Sequence, residues 1–304
     1  MPDTIIPTRI PPFEMDQIVG QIREGRCVPF LGAGANLSSR ARRYRGLPLG
    51  GQLARKLANR LEAKNSTLAR LALEWQVRWD RRSLAEFLAK ALRHEPRDPK
   101  CVASPLLRVL AKIRTLKLVV TTNYDSLFEK ALDEEGRGDD YEVVVQPPQG
   151  FEATQAVREW HLKLQQQKKL IVYKIHGSFA GHGLPETEPP PLIITEDDYI
   201  DFLTVLARGK AEEGERGKIG VPQRITTELA TSSLLFLGYS LEDWDFRTIH
   251  KSLIDSLPWH SSRKSIAIQR ASATYWRDYW VRKNVKIFDI DLYDFVDQLN
   301  KAFR

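Results

Sequence analysis

The chain of 304 residues carries a formal net charge of +7, 42% hydrophobic residues and two cysteines. Its length and apolar content support one large domain or two modest ones, while Cys27 and Cys101 alone build neither a disulfide framework nor a four-cysteine zinc site. No run approaches the roughly 18 uninterrupted apolar residues of a membrane span, and the N-terminus lacks a charged start followed by an apolar stretch, so a cytoplasmic protein is expected. The basic excess is local, at Arg40–Arg45 and Arg78–Arg82. Without zinc-finger spacing or an RNA-binding aromatic motif these clusters read as solvated faces, and direct nucleic-acid recognition is not expected.

Phe13, Ile18, Val19 and Ile22 fall on one helical face, and Gly25 closes that helix. The apolar run Cys27–Leu31 follows as a buried strand and ends in "GAGAN", Gly32–Asn36. From Gln52 to His94 the text is rich in Ala, Leu, Arg and Glu at helical spacing, which gives two or three helices, and another fits Pro105–Ile113. Leu116–Val120 is a second buried strand, followed by polar residues and the helical "SLFEKAL". Further strands are expected at Tyr141–Val145, Leu170–Ile175, Pro191–Thr195, Ser232–Tyr239, Lys264–Ile268 and Val285–Ile290. Helices are expected at Glu196–Arg208, Pro222–Thr231, Asp243–Ser256, Ala271–Arg282 and Leu292–Phe303. Short apolar strands alternating with helices predict an α/β fold, a Rossmann-like, doubly wound domain with a mainly parallel sheet. The chain, 1–304, then reads as a single domain. Its helical block 52–113 is an insertion or cap, and the charged, glycine-rich segment 208–220 suits a mobile loop.

"GAGAN" fits neither of two familiar phosphate loops. A dehydrogenase fingerprint needs a third glycine where this chain has Leu37, and an acidic residue about 20 positions on, whereas no Asp or Glu occurs between Gly32 and Glu62. A nucleoside-triphosphatase loop needs Gly-Lys followed by Ser or Thr, and the Gly-Lys pairs here continue as Ala211 and Ile219. The motif therefore reads equally as a backbone approach to a phosphorylated ligand or as a close-packed strand-to-helix turn.

Ligands of open α/β sheets bind beyond the carboxyl ends of the strands, so polar residues directly after apolar runs are the candidates. They are Gly32–Asn36 after Leu31, Thr121–Asp125 after Val120, His176-Gly177-Ser178 after Ile175, and Gly238–Asp243 after Leu237. Singly, each has a structural explanation: Thr122, Asn123 and Asp125 can cap a helix, Gly238 and Ser240 can make a turn and cap, and His176 can be a hydrogen-bonded core histidine.

In this order, "GAGAN", "TTNYD", "KIHGSF" and "GYSLEDWDF" resemble the sirtuin family, with its Gly-Ala-Gly loop, Thr-x-Asn-x-Asp motif, His-Gly pair and late Gly-x-Ser loop. The resemblance implies an NAD site in which Gly32, Ala33 and Gly34 lie along the pyrophosphate, and Asn123 and Asp125 border the nicotinamide ribose. It makes His176 the catalytic histidine and places Gly238 and Ser240 at the adenosine half, with Asn36, Thr122 and Tyr239 completing the cofactor-binding set. A side chain at Gly34 would then obstruct the pyrophosphate. Deacylases of the family carry two Cys-x-x-Cys pairs after the His-Gly motif, and this chain has no cysteine after Cys101, so no zinc is expected. What remains resembles the zinc-free, NAD-hydrolysing sirtuin-like domains of bacterial anti-phage defence systems. That resemblance implies an effector that consumes NAD as its substrate, and a homo-oligomer is expected because assembly can order mobile loops next to the site. It also implies control by a separate partner such as a HerA-type ATPase, a short Argonaute or another nucleotide-binding sensor. A non-catalytic NAD or ADP-ribose sensor and a zinc-free deacylase or ADP-ribosyltransferase are the alternatives.

The chemistry suits the residues. Cleaving the nicotinamide–ribose bond passes through an oxocarbenium-like centre with a good leaving group, so little acid catalysis is needed. An amide can orient a water or a ribose hydroxyl and a histidine can take its proton near neutral pH, tasks that fit Asn123 and His176. Asp125 either orients the loop or stabilises developing positive charge.

Overall fold

The strands β1 Cys27–Leu31, β2 Leu118–Thr121, β3 Tyr141–Val145, β4 Leu170–Lys174, β5 Ser233–Leu237, β6 Ser265–Ile268 and β7 Val285–Phe288 form one seven-stranded sheet. Its order is β3-β4-β2-β1-β5-β6-β7, and every pairing is parallel. The structure, a computed structural model, describes residues 9–37, 47–92, 102–146, 162–179, 192–208, 221–242, 244–254, 264–270 and 272–303. The basic cluster Arg40–Arg45, Cys101 and residues 209–220 of the charged loop lie outside them.

Alternation along the strands divides the core. Cys27 and Leu31 of β1, Val119 of β2, Val172 of β4 and Leu235 and Leu237 of β5 face one layer, while Val28, Phe30, Val120, Ile171, Tyr173, Leu234 and Phe236 face the other. The first face is covered by α1 Pro12–Arg23, α5 Pro105–Lys112, α6 Leu127–Glu134 and α11 Leu292–Ala302. The second is covered by α7 Glu196–Arg208, α8 Gln223–Thr231, α9 Trp244–Ile249 and α10 Thr274–Arg282. The helix expected at Asp243–Ser256 is thus split, because α9 continues as a π-helical turn, His250–Ile254. Cys27 sits in the first layer with its thiol pKa pushed up to about 12 by burial, an inert packing residue.

Pro29 in a central strand has a local reason. Leu31 O accepts a hydrogen bond from Thr122 N on the β2 side, so residues of its parity turn towards β2. The missing N–H of Pro29 therefore points at β2, where pairing begins only at Phe30.

The expected strand at Pro191–Thr195 is not in the sheet. Leu192 makes one isolated antiparallel bridge to Gly177, and Ile193 N donates to His176 O at 2.9 Å. Its apolar text reflects burial on two sides: Ile193 joins the second layer, while Leu192 and Ile194 pack beneath a helical lobe. That lobe consists of α2 Gly50–Leu61, α3 Leu68–Arg78 and α4 Arg81–Leu92 around Leu57, Leu71, Trp75, Leu84 and Leu88. It lies in sequence between β1 and β2, and α5, also in the block 52–113, belongs to the main core.

Candidate active site

The chain runs outward from β1 through β2 to β3 and β4, then returns to place β5 on the other side of β1. The crevice between β1 and β5 is therefore the point where the strand order reverses, the preferred ligand position of such sheets. Both glycine loops leave the sheet there. Gly32 N donates to Leu237 O at 3.0 Å and Gly34 N to Gly238 O at 2.9 Å, closing the loop after β1 onto the loop after β5. Gly238 has φ +75°, and a Cβ on it would lie 2.1 Å from Ala35 N. A Cβ on Gly34 would lie 2.9 Å from Gly238 Cα, and one on Gly32 would lie 2.7 Å from Gly238 O. These glycines serve loop-to-loop contact. Of the two readings of this loop, the close-packed turn is the one these contacts serve, and the direction first blocked by a side chain at Gly34 is the neighbouring loop.

The polar loop after β2 is braced on the same junction. Thr121 Oγ1 donates to Leu31 O at 3.1 Å and accepts from Asn123 N at 3.0 Å, and Asn123 Nδ2 donates to Gly32 O at 3.1 Å. Asp125 uses both carboxylate oxygens: Oδ1 accepts from Leu127 N at 3.0 Å at the start of α6, and Oδ2 accepts from Asn36 Nδ2 at 2.6 Å. Of the two roles open to Asp125, orientation of the loop is the one its contacts serve. Asn36, expected at the cofactor, spends an amide proton on Asp125. Below, Lys174 is fully buried, with Nζ donating to Asp125 O and lying 2.9 Å from Glu129 Oε1. Ser104, at the start of α5, donates to Ala35 O at 2.5 Å and caps its own helix through Leu107 N.

His176 follows β4 and is 3% exposed. Its ring meets Tyr199 edge-on at 5.2 Å, and its Nε2 has no hydrogen-bond partner among the described residues. Burial lowers its pKa to about 3, opposed by the negative charge of Asp198. The imidazole is therefore neutral at physiological pH, not the near-neutral proton carrier its unperturbed chemistry suggests. Asp198 is itself held by Ile194 N, Thr195 N and Arg81 at 2.8–2.9 Å, which ties α7 to the helical lobe.

A cleft of about 670 Å³ spans these loops. All the expected site residues but Gly32 line it. Two further walls complete it: Leu47–Gly51 and Leu53 at the start of α2, and Gln269, Arg270 and Asp291–Tyr293 beyond β6 and β7, of which the second was not foreseen. Applying the rule for residues after apolar runs to those last two strands would have found Gln269 and Arg270. Among the described residues, no group of three or more His, Cys, Asp or Glu could hold a metal ion, and no helix is long and apolar enough to cross a membrane.

A parallel sheet with a polar crevice at its switch point defines a doubly wound α/β protein. The SIR2-like domain model matches residues 117–288, more than half of the chain, which belongs to that family; SIR2-like domains use NAD. Among solved structures, one described as "Structural Basis for the Mechanism and Regulation of Sir2 Enzymes" matches with 13% identity and a TM-score of 0.44, covering 95% of this chain and 96% of its own. No match is found among curated proteins.

Proposed function

We propose that the chain is an NAD glycohydrolase, releasing nicotinamide and ADP-ribose, and that it serves as an NAD-depleting effector of anti-phage defence. The observation that carries the reading is the arrangement of Asn123 and His176 on one cleft with the β1–β5 glycine junction. The cleft volume falls in the range of about 300–1,000 Å³ usual for cofactor sites, and the buried His176 Nε2, which has no hydrogen-bond partner among the described residues, is a polar atom that a ribose hydroxyl can satisfy. NAD, when bound, supplies the glycosidic bond and its own pyridinium leaving group. The chain's part is positioning. Asn123, fixed through Gly32 O, orients a water or hydroxyl beside His176, which stays neutral, and the proton that the attacking water loses leaves to solvent. The defence role and control by a separate nucleotide-binding partner draw on motif resemblance; self-assembly belongs to the same proposal.

The test incubates purified protein with NAD, with and without an acylated peptide, and separates the products by chromatography. Nicotinamide release without peptide is expected, together with a loss of about a hundredfold or more in Asn123→Ala and His176→Ala, as a misplaced reactant costs. Release only with peptide would replace the reading by a deacylase. NAD binding with no release would replace it by a sensor.

A further inference from the structure

β2 and β4 are neighbours in the sheet, yet their loops part where the polar residues begin. Pairing ends at Thr121 opposite Lys174, with one more hydrogen bond from Ile175 N to Thr121 O at 3.0 Å. Asn123 lies two residues past Thr121 and His176 two past Lys174, so the ladder no longer fixes the distance between them. Tyr124, which also lines the cleft, rejoins the two loops. Its hydroxyl donates to Ile193 O at 2.7 Å, and Ile193 N donates to His176 O at 2.9 Å. Its carbonyl lies 3.5 Å from Phe179 N, three residues after His176, and its ring meets Phe179 edge-on at 6.0 Å.

We propose that Tyr124 is a positioning residue, which sets the gap between the Asn123 amide and the His176 ring in which the attacking water is oriented. The inference rests on the NAD reading above. The segment 192–195 transmits the hold. It is anchored by the isolated bridge from Leu192 to Gly177 and by Asp198, which accepts from Ile194 N and Thr195 N. The grip of the phenol on Ile193 therefore passes straight into the backbone of His176. On the opposite side Asn123 Nδ2 is held by Gly32 O. Without the phenol oxygen the β2 loop keeps that tether and loses its tie to the His176 side, so the gap is free to widen. A reacting group displaced by about 1 Å costs about a hundredfold. The β1–β5 junction is untouched, so the loss falls on turnover and not on binding.

Tyr124→Phe removes the hydroxyl and keeps the ring. Tyr173→Phe is its control, since that phenol donates to Gln146 Oε1 at 2.7 Å within the second core layer. For each variant kcat of nicotinamide release and KM for NAD are measured, with calorimetric binding of ADP-ribose, which has no nicotinamide to lose. Single-amide hydrogen exchange is followed by NMR without ligand. Tyr124→Phe should lower kcat by about tenfold or more, while KM and ADP-ribose affinity stay within about twofold. In the same variant the Ile193 amide should exchange about fivefold faster, as one neutral hydrogen bond is worth. Tyr173→Phe should lower the melting temperature comparably and keep kcat and Ile193 exchange within about twofold of wild type. A kcat within about twofold of wild type in Tyr124→Phe, or unchanged Ile193 exchange, overturns this inference and leaves the NAD reading standing. So does an equal fall of kcat in both variants, which marks general loosening, and so does a raised KM at unchanged kcat, which makes the phenol a ligand contact. Wild-type protein that releases no nicotinamide overturns both.

Discussion

At the scale of single residues, the environment of a group changes what its type suggests. His176 is the plainest case, since burial moves its pKa from 6.5 to about 3. Between those values the unfolded chain holds a proton that the folded chain excludes, so stability is complete above pH 6.5 and falls as the pH drops towards 3. One unit below its ordinary value the loss is about 1.4 kcal/mol. Denaturant melts at pH 7.5 and 5.5 should therefore show a larger decline for the wild type than for His176→Gln, by about that amount. Equal declines would mean that the imidazole is not held neutral. The glycines make a second case. Gly238→Ala forces a left-handed residue against Ala35 N, and Gly34→Val drives a branched side chain into Gly238, whereas a Cβ on Gly51 meets nothing within 4 Å. The first two should lose more than the about 1–3 kcal/mol of a single strained residue, visible as a lowered melting temperature, and Gly51→Ala should not. A wild-type melt for Gly238→Ala would show that the two loops do not close on one another in solution.

Elements place these residues, and one buried pair does much of the placing. Lys174 ends β4, the strand that delivers His176, and its ammonium reaches Glu129 of α6 and the Asp125 carbonyl of the β2 loop. Lys174→Met leaves Glu129 buried without its cation, and unfolding in denaturant should show a loss of about 3–5 kcal/mol. Adding Glu129→Leu should recover most of that stability without restoring NAD turnover, because Asp125 O still lacks its donor. A loss below about 1 kcal/mol for the single variant would remove the pair from the account. Elements of this kind were legible to different degrees. The strands β1, β2, β4 and β5 stood out as apolar runs, and the polar residues behind them line the cleft. The far end carries the same signal, Gln269 and Arg270 directly after the run Lys264–Ile268 and Asp291 directly after the run Val285–Ile290, but no recognisable motif accompanies it. Pro191–Thr195 misled for another reason: its residues are as apolar as a strand, yet a lobe and a layer bury them without a ladder. The Ser104 contact to Ala35 joins positions 69 apart and has no local signature.

For the whole molecule, the cleft is where separately folded parts of the chain meet. Its walls come from the helical lobe at Leu47–Leu53, from the loops after β1, β2, β4 and β5, and from the ends of β6 and β7. The lobe is connected to the sheet layers through Arg81–Asp198 and through Leu192 and Ile194, on the same segment that backs His176. A ligand that spans the cleft must then tighten all of these parts together, because stabilising the bound state slows every opening that breaks it. Hydrogen exchange of His176→Ala, which should bind NAD without consuming it, puts this to the test. At a free NAD concentration about a hundredfold above Kd, global stability should rise by about 2.7 kcal/mol. Added protection should appear jointly in four segments: 32–37, 122–126, 238–242 and 269–270 with 291–293. The start of α2 at 50–53 should follow them, since it forms the opposite wall. Protection confined to 238–242 and 269–293 would mean that only an adenine nucleotide binds and that the β2 and β4 ends are not part of the substrate site. Protection everywhere except 50–53 would detach the helical lobe from the site and leave it as packing alone.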